Sequence, residues 1–258
     1  MYMTDQQPEQ SVENIIRSSL SRGGFLKSAG ALAGAAALFG VSGKFGSSIA
    51  LASSDTTQSI LNAAVTAEQI ATAFYYQGIA GPTAPQLGPV HNANNLNYFQ
   101  AALWEEYQHI QILEGLGGTS LTGSDSPTLY FPNGTFTNPG HFLSLLDTLE
   151  TAFIGAYLAA VNYWASTQQP VYAEGAAQIM GVEAEHRALG RVASGTNPPN
   201  NLILEYAEFG SVSDAVPALL PFVQGGSGFA AYSFPTGTQV QAAATGSIIS
   251  SLSNPGLA

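Results

Sequence analysis

The sequence predicts an all-α protein: a four-helix bundle with a long crossover between helices two and three, followed by an irregular helical tail. Three observations carry the prediction. Apolar residues recur three and four apart in four long segments. The links between segments one and two and between three and four are short, whereas the middle link is long. Each segment also places a glutamate on its apolar stripe.

Composition agrees with a folded chain. Of 258 residues 45% are hydrophobic and the mean hydropathy is +0.13, enough to bury a sizeable core. The absence of cysteine excludes disulfides, thiolate metal sites and cysteine nucleophiles. The net charge is −11, and four of the six cations (Arg17, Arg22, Lys27 and Lys44) lie in the first 44 residues. From Ser53 onward there are 14 acids and two bases, Arg187 and Arg191. Such a chain has little with which to neutralise phosphates, so no nucleic-acid partner is expected.

Residues 1–52 read as an export leader. Arg22-Gly-Gly-Phe-Leu-Lys27 precedes an Ala/Gly-rich apolar run over 29–41, and Ala50-Leu-Ala52 supplies a small-x-small cleavage pattern. Residues 21–27 resemble the twin-arginine export signature, with Gly23 in place of the second arginine. The apolar run is short and glycine-broken against the roughly 20 residues of a membrane span. The expectation is cleavage near Ala52, a periplasmic or extracellular location, and no stable membrane span in the mature form.

Residues 55–196 hold the predicted bundle. Helix one, 59–78, carries the stripe Leu61, Ala64, Val65, Glu68, Ala71 and Tyr75. A loop with Gly81, Pro82, Pro85 and Pro89 leads to helix two, 95–116, with Leu103, Glu106, Ile110 and Leu113 on one face. The connection over 117–140 is rich in Gly, Ser, Thr and Pro and contains the turn Pro132-Asn-Gly134. Helix three, 141–166, presents Leu146, Glu150, Phe153, Ile154 and Tyr157. Helix four, 171–193, presents Ile179, Glu183, His186 and Leu189. Short outer links and a long middle one give the connectivity of ferritin-like bundles. Residues 197–258 form an extension in which helix-like pieces (202–209, 215–222, 239–252) are interrupted by Pro217, Pro221, Gly225-Gly226 and Pro235. It is expected to pack on the bundle or to mediate assembly, including a homo-oligomer.

The chemistry sits on the stripes. Helices one and three offer single glutamates, Glu68 and Glu150. Helices two and four offer Glu106-Tyr-Gln-His109 and Glu183-Ala-Glu-His186. Residues three apart share a helix face, so each Glu–His pair can touch one ion. This alternation is the carboxylate-bridged dimetal pattern. Four carboxylates in a core are very costly unless paired, metal-bound or protonated. Two arginines are too few to pair them, whereas two divalent ions would bring +4 against −4. The expected ligands are Glu68, Glu106, His109, Glu150, Glu183 and His186.

The halves echo each other. Tyr75 and Tyr157 each lie seven residues beyond a lone glutamate, two turns along the same face. Both are expected to line the cavity, where they would bond a ligand or move electrons; plain core packing is the alternative. Glu105 and Glu185 are expected to be solvated, Glu114 to lie at the surface, and His91 and His141 in loops or at a helix start. Trp104 is expected to face another element. Asn133-Gly-Thr135 matches a glycosylation acceptor but reads as a turn.

Residues 55–225 resemble the ferritin-like domain of exported bacterial proteins related to plant desiccation-related proteins and fungal stress-response proteins. The resemblance rests on Leu103-Trp-Glu-Glu-Tyr-Gln-His109, Tyr130-Phe-Pro-Asn-Gly-Thr-Phe136, Leu146-Asp-Thr-Leu-Glu150 and Glu183-Ala-Glu-His186. It implies two Fe or two Mn ions, with O₂ or H₂O₂ as oxidant, and no settled reaction. Three classes of function stay open: a dimetal oxidoreductase (ferroxidase, peroxidase or manganese-catalase-like), a metal-binding or storage protein without turnover, and a stress or envelope scaffold.

Overall fold

The structure, a computed structural model, describes residues 54–252. The expected leader and its cleavage position lie outside the described residues. Seven α-helices and a two-stranded sheet follow in the order α1 (Thr57–Ala80), α2 (Ala93–Gly115), β1 (Thr128–Pro132), α3 (Pro139–Ser166), α4 (Pro170–Ala193), α5 (Val212–Gln224), β2 (Phe229–Ser233), α6 (Gly237–Ala244) and α7 (Gly246–Ile249). The first four helices are the bundle, and the fold is all-α as the pattern of stripes requires.

Local chemistry sets the helix ends. Thr56 and Ser59 form a reciprocal capping box at the start of α1, and Asn92 and Asn138 accept backbone N–H bonds at the starts of α2 and α3. Pro139 and Pro170 occupy first-turn positions, where a missing N–H costs nothing. The turn between α3 and α4 is only a few residues long, so these helices pack as antiparallel neighbours.

The crossover is more ordered than its composition suggests. It carries β1, which pairs antiparallel with β2 of the tail from Thr128–Ser233 to Pro132–Phe229. Phe131 and Phe136 enter the core from it and meet Phe74 at 6.0 and 5.8 Å between ring centroids, while Phe74 stacks on Phe142 at 4.4 Å. One aromatic cluster therefore fixes the crossover against α1 and α3, worth several kcal/mol in buried area.

The tail corrects two readings. Residues 202–209 are not helical, and 239–252 divides into α6 and α7 where Thr245 adopts φ 63°. By contrast α5 runs through both Pro217 and Pro221, with Ser211 as its N-cap. It stops at Gly225, whose φ of 69° suits glycine, and a Cβ there would lie 2.6 Å from the Tyr130 ring.

Polar ties at several points hold the tail to the bundle. The Asp55 carboxylate accepts from the Val212 and Ser213 N–H groups at 2.9 and 2.8 Å and from the Ser213 hydroxyl at 2.6 Å. Arg187 donates to both oxygens of Glu205 at 2.6 and 2.7 Å. Arg191 donates to Asp147 at 2.5 Å and to Asn201 at 3.1 Å. Helix α3 has the length and apolarity of a membrane span, but 67% of its most apolar 18-residue stretch is buried within the protein.

Candidate metal centre

Glu68, Glu106, Glu150 and Glu183 are all at most 2% exposed, and His109 and His186 are 7% and 3% exposed. Each bundle helix contributes one glutamate from its middle, because each has its stripe turned to the common axis. Spacing of three then places His109 beside Glu106 and His186 beside Glu183.

The six side chains form two overlapping groups. Glu68, Glu106, His109 and Glu183 make one; Glu106, Glu150, Glu183 and His186 make the other. Within each, one ligand-type atom per residue lies within 4.8 Å of all the rest. His109 Nδ1 stands 3.2 Å from Glu68 Oε2, 3.5 Å from Glu106 Oε2 and 3.6 Å from Glu183 Oε1. His186 Nδ1 stands 3.0 Å from Glu106 Oε1, 3.3 Å from Glu183 Oε2 and 4.0 Å from Glu150 Oε1. Glu106 and Glu183 thus send one oxygen to each group, as bridging carboxylates do, while Glu68 and Glu150 belong to one group each.

The donor chemistry fits cations. Both oxygens of Glu106, Glu150 Oε2 and Glu183 Oε1 are buried with no hydrogen-bond partner. The 3.0 Å approach of His186 Nδ1 to Glu106 Oε1 lacks hydrogen-bond alignment. Lone pairs gathered around shared points, with no protein donor to satisfy them, suit divalent ions. Oxygen-rich ligation with two imidazoles suits Fe or Mn. Neither arginine reaches the cluster, since both are engaged by Glu205 and Asp147.

Protonation in the metal-free site follows the same crowding. Burial and the neighbouring Glu183 hold the Glu68 and Glu150 carboxyls well above the carboxylate range. Burial alone would raise Glu106 too, but the charge of the adjacent His186 imidazole pulls it below that range. Burial would lower both imidazoles, yet Glu68 beside His109 and Glu106 beside His186 raise them.

Tyr75 and Tyr157 both reach the cluster, and they do so crosswise. Tyr75 on α1 donates to Glu150 of α3 at 2.5 Å, and Tyr157 on α3 donates to Glu68 of α1. Burial, then the carboxylate each one faces, raises both phenols, so they are held as donors.

Glu105 departs from expectation. Glu105 is half-buried rather than solvated, and its Oε2 lies 2.8 Å from His186 Nε2. Its adjacency to Glu106 disguised it; the available clue was that the matching position beside Glu183 is Val182. Glu185 is exposed, and Glu114 lies outside both groups. His91 Nε2 lies 3.1 Å from the Gly78 carbonyl, and the His141 N–H donates to Asn138. Trp104 packs beside Tyr107.

Four helices with this crossover, two lone glutamates and two Glu-x-x-His pairs define a carboxylate–histidine bundle of the ferritin-like class. The ferritin-like domain family matches residues 56–196, more than half of the chain, and the chain belongs to that family. No curated protein and no solved structure matches the chain significantly.

Proposed function

We propose that the protein is an exported ferritin-like protein holding a carboxylate-bridged di-iron or di-manganese centre, used for Fe(II) oxidation or peroxide removal in stress protection. The observation that carries this reading is the pair of Glu/His groups sharing Glu106 and Glu183, with four buried carboxylate oxygens left without protein partners. Glu68 and His109 would complete one ion's ligands, and Glu150 and His186 the other's. Such ions would supply an open coordination position and redox equivalents to O₂ or H₂O₂. The chain's own part is to hold the ligands apart from water and to fix protons: Tyr75 keeps one on its hydroxyl facing Glu150, and Tyr157 one facing Glu68. The leader pattern supports export, and the crossover motif Phe131-Pro-Asn-Gly-Thr-Phe136 supports the desiccation-related branch.

Elemental analysis of the mature protein, purified without chelator from its native secreted or periplasmic fraction, tests the reading. The expected result is about two Fe or two Mn per chain, lost in Glu106→Ala. Consumption of Fe(II) or peroxide by the loaded protein then separates turnover from storage. No metal after reconstitution with Fe(II) or Mn(II) would sink the reading, leaving a scaffold whose carboxylates are held by protons.

A further inference from the structure

The site follows a twofold correspondence: position 68 with 150, 75 with 157, 106 with 183 and 109 with 186. One neighbour breaks it. Glu105 Oε2 lies 2.8 Å from His186 Nε2. The corresponding position beside Glu183 is Val182, whose side chain has no acceptor, and the polar contacts of His109 among the described residues run through its Nδ1. With its Nε2–H directed at a carboxylate, His186 turns the Nδ1 lone pair toward Glu106, Glu150 and Glu183, its neighbours at 3.0, 4.0 and 3.3 Å. A carboxylate behind a ligating imidazole fixes its tautomer and ring plane and makes it more basic. His109 lacks that support.

We propose that Glu105 is a positioning residue that makes the two cation positions unequal. The position bounded by Glu106, Glu150, Glu183 and His186 binds a divalent ion more tightly than the one bounded by Glu68, Glu106, His109 and Glu183. The proposal rests on the two-ion reading. It adds an order of filling: a protein loaded with less than one equivalent holds its ion at the His186 position. Two unequal positions are also what a centre holding two different metals requires.

The test is a titration of the metal-free full chain with Co(II), followed by calorimetry and by the visible absorption of the bound ion. Wild type should fill in two resolved steps. His186→Ala should remove the tighter step and His109→Ala the weaker. Glu105→Ala should weaken only the tighter step, about 10- to 100-fold. Glu105→Gln keeps an accepting oxygen without the charge and should restore part of the loss; a merely structural role would not give that graded response. Equal steps in wild type, or an unchanged ratio of steps in Glu105→Ala, would overturn the proposal while leaving the two-ion reading intact. Absence of Co(II) binding in wild type would overturn both.

Discussion

Helices α1 and α3 differ from α2 and α4 more than their shared role at one site suggests. In α1, 17 of 24 residues are buried, and in α3, 14 of 28. In α2 the figure is 8 of 23, and in α4 it is 6 of 24. The sunken pair supplies the unshared glutamates and the two tyrosines. The shallower pair supplies both shared glutamates and both histidines. Burial and bridging therefore fall on different helices: α1 and α3 hold the core around the site and give it one unshared glutamate each, while α2 and α4 present the groups that join its two halves.

The sharpest way to break that comparison is to delete glutamates one at a time. Glu106→Ala or Glu183→Ala should take metal content from about two ions per chain to none, because each feeds both groups. Glu68→Ala or Glu150→Ala should leave about one. Elemental analysis after reconstitution reads the difference; equal losses from all four would erase the distinction between shared and unshared ligands.

Core deletions should show the opposite weighting. Phe74→Ala on α1 removes a ring 1% exposed that contacts four aromatic neighbours, and should cost about 3–5 kcal/mol. Val192→Ala on α4, at a position 44% exposed, should stay within about 0.5 kcal/mol. Urea unfolding of the metal-free chains measures both.

The crossed tyrosines should give an intermediate effect. Tyr75→Phe and Tyr157→Phe each strip a donor from a buried carboxylate and should each cost about 1–3 kcal/mol. Chemical denaturation of the two variants should show similar losses, since the bonds are mirror images across the pseudo-twofold; a loss confined to one would show that the halves are unequal here too.

The smallest expected effect is on pH dependence. Glu68, Glu150, His109 and His186 all have raised folded-state pKa values without metal. A raised group stabilises the fold below its unfolded pKa, and that contribution is lost as pH rises through the folded value. Glu106 is lowered, so its contribution is lost only toward strong acid. With chelator present, melting temperature should fall from about pH 5 to about pH 8, by a few degrees. Mn(II) competes with those protons, so the increment it confers should grow over the same range. An increment that shrinks would mean the ligands bind protons and metal independently.

The bundle and the six ligand-type residues were legible because both depend on spacing. A stripe at three and four residues fixes which faces turn inward, and a polar residue on that stripe is conspicuous. What spacing cannot show is the lateral pairing of distant segments. The β1–β2 pairing joins residues about 100 apart, with nothing in the alternation of Phe229–Ser233 to name its partner. The bond from Glu105 to His186 crosses from α2 to α4 and depends on how those helices are rotated. Residues 202–209 failed differently: their apolar spacing suggests a helix, but Ile203, Leu204 and Tyr206 are all at least half-exposed, and the segment is shaped instead by the Arg187–Glu205 pair.

The two arginines of the described chain have one more consequence. No lysine follows Lys44, so Arg187 and Arg191 are the only positions beyond it that trypsin can recognise. Both lie in α4, the first buried against Glu205 and the second clasped by Asp147. In the folded domain both bonds lie within a helix and both side chains are engaged, so cleavage there requires local opening of α4, and amine-directed cross-linkers find no lysine to label.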